Sequence, residues 1–391
     1  MASQTPMPNE SYFLGGRSPA STAVIPCVES DLPRPCDYQE LLERAHHLNR
    51  YSNFGELSDE FANGLLKAFG NPGEVCVTCN SATAGLSAAL IASGVGSNVL
   101  IPAFTFPATY GAVRAAGLVP LIMDVDPTTW AIAPERLEAM IKSTGAKAVI
   151  LVAPFGITTD FSSHVAVCRQ HGVTVIIDCA AGLGVKRMTP CDDDDIFEVF
   201  SLHATKPLGI GEGGAVFCSP NMSTRIKSAL NFGLSRSPEP SQIDWGFNGK
   251  LSELHAAVGL AQLERWERII SGRQRFAARY FDLLACYPAT AFPAAPAQAS
   301  WQVFPVLLPT EACLEEFAAA LETVGLEARR YYRPSLSLWR GASLAERCPV
   351  SEQLASCMIA LPVRSISEST EAQPILARVK SALSKTFPEV P

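Results

Sequence analysis

From about residue 73 the chain alternates short apolar runs with longer amphipathic or alanine-rich stretches. EVCVTC (74–79), NVLIPA (98–103), VPLIMDV (119–125), AKAVILVAP (146–154) and VTVIIDC (173–179) are runs of strand length, rich in Val and Ile. Between them lie SATAGLSAALIASG (81–94), PATYGAVRAAG (107–117), PERLEAMIKSTG (134–145) and DFSSHVAVCRQHG (160–172), which have helical length and end on Gly. Near-continuous apolar strands separated by helices predict an α/β fold with a mainly parallel sheet covered on both faces.

The rhythm changes after residue 190. DIFEVFSL (195–202) and GGAVFCS (213–219) predict two further strands with a glycine-rich loop between them. One long helical stretch is expected from Ser252 to about Cys286, followed by a Pro/Ala-rich connector, AFPAAPAQAS (291–300). Beyond it, WQVFPVLLP (301–309) has strand character and EACLEEFAAALETVG (311–325) helical character, so the C-terminal part is expected to be a smaller α+β domain. The division expected is an N-terminal arm and helix (1–50), a large domain (51–265) and a small domain (266–391). No internal repeat interrupts this order.

Composition narrows the classes. Hydrophobic residues are 48% and charged residues 18% of the 391 positions, which supplies a sizeable core and excludes global disorder. The net charge of −7 argues against a nucleic-acid binder. The N-terminal MASQTPMPNESYF lacks the basic and apolar regions of a secretory signal. The longest apolar stretch, AVILVAPFGI (148–157), is too short to span a bilayer. A soluble cytoplasmic protein with no membrane partner is therefore expected. The 12 cysteines are irregularly spaced, and Cys76-Val-Thr-Cys79 is the only CxxC. It has no second pair or matched histidines, so no metal is expected, and Cys76 and Cys79 are expected to be buried or half-buried strand thiols. The run Asp192–Asp195 is expected to be a solvated turn.

The candidate chemistry centres on SLHATKPLGIGEGGAV (201–216). Gly209, Gly211 and Gly214 satisfy G-x-G-x-x-G, but a dinucleotide site needs a helix next, and AVFCS is a strand. A tight hairpin-like turn is the expectation instead. Lys206 offers another chemistry, since an amine beside small residues at the mouth of a covered sheet can condense with a carbonyl. Were that carbonyl the aldehyde of pyridoxal phosphate, the ring nitrogen would need a carboxylate, the phosphate a helix N-terminus with hydroxyls, and the ring face a stacking partner. Asp178 ends the strand VTVIID, Ser81-Ala82-Thr83 opens a helix, and Phe106 sits in the loop FTFPAT. All three follow C-terminal strand ends, where ligands of open α/β sheets gather.

SLHATKPLGIGEGG, IIDCAAGLG, NSATAGLSAAL and GFNGKLSELHAAVGLAQLE resemble the DegT/DnrJ/EryC1/StrS family of pyridoxal-phosphate sugar aminotransferases, over roughly residues 50 to 340. The resemblance implies the aspartate-aminotransferase-like fold type I and a homodimer with shared active sites. By position it implies Lys206 as the cofactor-binding lysine, Asp178 as the ring-nitrogen partner and Phe106 as the stacking aromatic. It further implies Ala82, Thr83 and Ser201 as phosphate contacts, with Asn248 supplied by the second subunit. His203 is similar to a histidine near the substrate, and RRYYRPSL (329–336), with Arg330, Tyr331 and Tyr332, is similar to a segment at the substrate entrance. Two positions depart from the family pattern: Ala181 stands where Gln or His is usual, and N-G-K (Asn248, Gly249, Lys250) where N-Y-R is common. The local reading of Lys250 is a surface lysine. The implied reaction is amino transfer from L-glutamate to a nucleotide-linked keto sugar, a 4-keto-6-deoxyhexose. The alternative is a pyridoxal-phosphate enzyme with a non-sugar substrate. The family's 3-dehydratases, which carry His at the lysine position, are disfavoured by Lys206.

Overall fold

Helices α1 (Gln39–His47) and α2 (Glu56–Phe69) lead into an alternating series: β1 (Val75–Cys79), α3 (Ala82–Ser93), β2 (Asn98–Pro102), α4 (Pro107–Ala115), β3 (Val119–Met123), α5 (Pro134–Thr144), β4 (Ala148–Val152), α6 (Ser162–His171) and β5 (Thr174–Asp178). There follow β6 (Ile196–Ser201), β7 (Gly214–Cys218), α7 (Pro220–Ala229), α8 (Glu253–Glu264), α9 (Trp266–Leu284), β8 (Val303–Leu307), α10 (Glu311–Thr323), β9 (Ser343–Leu344), α11 (Pro349–Cys357), β10 (Met358–Pro362) and α12 (Gln373–Thr386). This computed structural model describes residues 24–235, 243–294 and 299–387. The N-terminal segment read for a signal, the 1–50 arm before residue 24, and residues 295–298 of the connector lie outside the described residues.

Eight strands form one sheet in the order β1-β7-β6-β5-β4-β2-β3-β9, with β7 antiparallel to both neighbours and the other pairings parallel. This is the mainly parallel sheet, covered by helices on both faces, that the strand pattern predicts. The continuously apolar runs are buried on both faces. In β5, Val175 and Ile177 enter one hydrophobic cluster and Ile176 the other. The helices α3, α5 and α6 stop at Gly94, Gly145 and Gly172, each in the left-handed conformation. Strand order reverses between β2 and β4, which opens a crevice at their C-terminal ends.

The smaller sheet pairs β8 with β10 in antiparallel register, Val303 opposite Pro362. Its apolar face packs with α9, α10 and α12 around Phe276, Tyr280, Phe304 and Phe317. The chain between these strands returns to the large sheet, where β9 pairs with β3 and Leu336 N–H donates to Ala103 O at 3.1 Å.

Two expectations need correction. The stretch 252–286 is two helices, broken at Arg265 (φ −95°, ψ −7°). There the guanidinium reaches Asp31 at 2.6 Å, and the Trp266 ring packs edge-on to Phe69 at 5.8 Å. Lys250 is buried at 8% exposure, not on the surface, with its ammonium 4.7 Å from the centre of the Phe232 ring. Burial shifts its pKa down. Cys79 is fully buried and Cys76 half-buried on β1, and burial raises the Cys79 thiol to about 12. Residues 192–195 form an exposed turn. Among the described residues no helix is long and apolar enough to cross a membrane, and no His/Cys/Asp/Glu group is arranged to hold a metal ion.

Candidate active site

The loop joining β6 to β7 folds back on itself. Leu202 N–H donates to Gly213 O at 2.9 Å, Ala204 N–H to Gly211 O at 2.7 Å and Ile210 N–H to Leu202 O at 2.8 Å. Gly211 has φ +104°, a conformation that side chains rarely adopt. The glycines therefore shape a hairpin connection, and β7 rather than a helix follows them. Lys206 is carried at the bend, with its N–H bonded to His203 O at 2.8 Å. Its Nζ donates to Gln302 Oε1 at 3.0 Å. Burial lowers the amine from 10.5 to about 8, against the pull of the Asp178 charge in the other direction.

Asp178, 6% exposed at the end of β5, faces that lysine. Thr109 Oγ1 donates to its Oδ2 at 2.7 Å and Ala180 N–H to its Oδ1 at 3.2 Å. Thr109 is in turn fixed by Thr105 at 2.8 Å. Burial raises the carboxyl's pKa, while the two donors and Lys206 pull it back. A cation placed beside it would complete the ionisation.

Ser81 caps α3, its hydroxyl accepting from Ala84 N–H at 3.2 Å. The Ala82 and Thr83 N–H groups belong to the first turn, which has no intrahelical acceptors, and both residues face the cavity. Gly214 makes this approach possible: a Cβ there would lie 2.7 Å from both Ala82 N and Ser81 C. Gly214→Ala should accordingly push the helix start out of place. The expected loss is about 1–3 kcal/mol of stability, with weaker cofactor retention, read by thermal melting and by cofactor titration.

These groups share one cavity of about 1370 Å³ with Phe106, Ser201 and His203. Phe106 is 49% exposed, its ring 6.3 Å from Tyr332. Ser201 Oγ accepts from His203 N–H at 3.3 Å. His203 Nδ1 accepts from Thr205 N–H at 3.3 Å, and its Nε2 lies 3.6 Å from Glu212. Across the cavity, Tyr332 stacks on Phe155 at 5.6 Å with an interplanar angle of 6°. Tyr331 also lines it, with burial raising its phenol pKa.

Arg330 is in the cavity wall but already holds a carboxylate, with Nη1 and Nη2 on the two Glu315 oxygens at 2.7 and 2.5 Å. Arg333 is similarly placed on Glu311 at 2.7 Å. Asn248 is exposed and does not line this cavity. Its carbonyl accepts from Asn80 Nδ2 at 3.2 Å, and Phe232, Leu234 and Trp245 nearby are 57%, 62% and 46% exposed. Sequence reasoning missed Thr109 and Gln302. Thr109 had a faint signal in its spacing from Thr105, whereas Gln302 lies 96 residues from Lys206 and had none.

The buried carboxylate, the lowered amine and the helix start with room for an anion fit the donor set that pyridoxal phosphate requires. Residues 36–380 match the DegT/DnrJ/EryC1/StrS aminotransferase family. The protein Rv3402c of Mycobacterium tuberculosis is 28% identical, with 92% of this chain and 90% of that protein covered. The solved structure of DesI, in the presence of its TDP-sugar product, is 28% identical with a TM-score of 0.80, covering 93% of this chain and 94% of that one. A DegT DnrJ EryC1 StrS aminotransferase from Brucella abortus is 27% identical with a TM-score of 0.77, covering 88% and 95%.

Proposed function

Because the chain belongs to the DegT/DnrJ/EryC1/StrS aminotransferase family and is a pyridoxal-phosphate-dependent aminotransferase, we propose that it moves the amino group of L-glutamate to a nucleotide-linked keto sugar, a 4-keto-6-deoxyhexose. The observation that carries this reading is the placing of Lys206, Asp178 and the α3 start around one cavity of about 1370 Å³. That exceeds the few hundred to about 1,000 Å³ of common small-molecule sites, so a cofactor and a nucleotide sugar fit together. DesI, with its TDP-sugar product, supports the acceptor class.

In this reading Ala82 and Thr83 N–H and the Ser201 hydroxyl hold the phosphate, Asp178 holds the ring nitrogen's proton, and Phe106 covers the ring face. The cofactor supplies an aldehyde for the amino group and a ring that draws electrons from the donor's α-carbon. Lys206 Nζ, in its neutral form, takes the proton from that α-carbon. It later delivers a proton to C4 of the sugar. His203 stands beside the acceptor, while Arg330, Tyr331 and Tyr332 meet the diphosphate and base. A diphosphate must there exchange with Glu315. The same proposal keeps residues 51–265 as the large domain and 266–391 as the small one, except for the stretch around Leu336 and β9, which packs on the large sheet. It also makes the protein a homodimer, in which exposed Phe232, Leu234 and Trp245 are covered and Asn248 reaches the second subunit's phosphate site.

A second reading, a non-sugar keto acceptor, draws on one observation: the arginines at the mouth are neutralised by glutamates of α10. The two are separated by a mass-spectrometric product screen, with glutamate as donor and a panel of nucleotide keto sugars. A nucleotide-linked sugar aminated at C4 is the expected product. Full conversion of the cofactor by glutamate with no amination of any panel member would shift the assignment to the second reading.

A further inference from the structure

Gln302 reaches Lys206 from the other sheet, and its placement is fixed more tightly than a chance contact requires. It precedes β8, and the two residues before it are locked. Ser300, fully buried, donates through Oγ to Ala181 O at 2.5 Å. Trp301, 2% exposed, has φ +50°, a left-handed conformation that costs a bulky residue energy and persists only where its surroundings enforce it. Here they do: its ring stacks on Phe304 at 5.2 Å, and its carbonyl accepts from Arg273 Nη1 at 3.0 Å. The turn at Trp301 directs the Gln302 side chain into the cavity. Its amide is oriented by both partners, since Nε2 donates to Thr205 O at 3.4 Å while Oε1 accepts from Lys206 Nζ. Ala181, lining the same cavity, offers only a methyl group, so it does not compete for the amine.

We propose that Gln302 is the positioning residue for the reactive lysine, a carboxamide carried by the small sheet that holds the Lys206 amine and the backbone of its loop at once. An acceptor on Nζ favours its protonated form, so Gln302 adds to the Asp178 charge in opposing the burial that frees the amine. This rests on Lys206 being the cofactor-binding lysine.

The test uses the full-length protein stripped of cofactor, following Lys206 labelling by an amine-directed acylating reagent against pH, with peptide mass spectrometry as readout. In Gln302→Leu, and in Gln302→Met as the isostere without the acceptor, the labelling midpoint should fall by about one pH unit. In Gln302→Glu it should rise, because a carboxylate holds the ammonium more strongly. Restored pyridoxal phosphate should show the same order in the pH dependence of its visible absorption. A merely structural Gln302 would change melting temperatures and leave the midpoints together; coincident midpoints in all four proteins overturn the proposal while Lys206 stays the reactive lysine. A wild-type Lys206 that never captures pyridoxal phosphate overturns the reading beneath it, and this proposal with it.

Discussion

Under the proposed function Lys206→Ala abolishes turnover, by at least about 10⁴-fold, because in that reading the same amine binds the cofactor and moves the proton of the donor's α-carbon. The variant remains folded. The lysine lies on a loop bend held by backbone bonds, and Gln302 keeps its bond to Thr205 when Nζ is gone. With both proteins stripped of cofactor, so that Nζ is a free amine, its stability relative to wild type depends on pH with a definite sign. The folded-state pKa is about 8 against 10.5 for a free lysine, so folding disfavours the charged amine. That cost is fully present below about pH 8 and fades as pH rises toward 10.5. The alanine variant therefore melts higher than wild type near pH 7 and loses this advantage near pH 10. Kinetics with glutamate and paired thermal melts at the two pH values check both parts. Wild-type turnover in the variant would remove Lys206 from the reaction.

Under the same proposal Asp178→Asn lowers turnover by about 10³-fold with cofactor still bound, since a neutral amide would no longer hold the ring nitrogen's proton. The structural cost is smaller and comes from hydrogen bonding. The substituted carboxamide can turn its oxygen to the Ala180 N–H and donate through its NH2 to Thr109 Oγ1, whose own proton then goes to Thr105. Less than about 1 kcal/mol of stability should be lost. Equilibrium unfolding separates this from the kinetic effect, and an asparagine variant within tenfold of wild-type turnover contradicts the role given to the carboxylate.

The core of the large sheet was legible because its strands are buried on both faces. VTVIID and AVILV have no polar side to hide, and glycines in the left-handed region mark the ends of the intervening helices. The hairpin nature of the 201–216 loop was legible for a related reason: the run after its glycines is β-branched and aromatic. The break at Arg265 was not, because its backbone stays near the helical region and the apolar period continues through Trp266. At the break the Arg265 guanidinium pairs with Asp31, more than two hundred residues earlier in the chain. The site divides in the same way. Lys206, Asp178 and the start of α3 each end or follow a strand and could be placed from local pattern. The partners that tune them could not. Thr109 looks like an ordinary residue in the first turn of α4, and Gln302 lies just before β8 of the other sheet. Arg330 looked available from sequence because Glu315 stands on a separate helix, α10, whose exposed carboxylates look like ordinary solvated surface.

The central claim is a covalent link between one amine and the cofactor aldehyde, and borohydride reduction of the purified yellow protein followed by peptide mapping tests it most directly. The expected result is a hydride-stable pyridoxyl phosphate mass on the peptide containing Lys206, at one per chain, and none on the Lys206→Ala protein. A colourless protein that yields no adduct, or an adduct on any other lysine, contradicts the account.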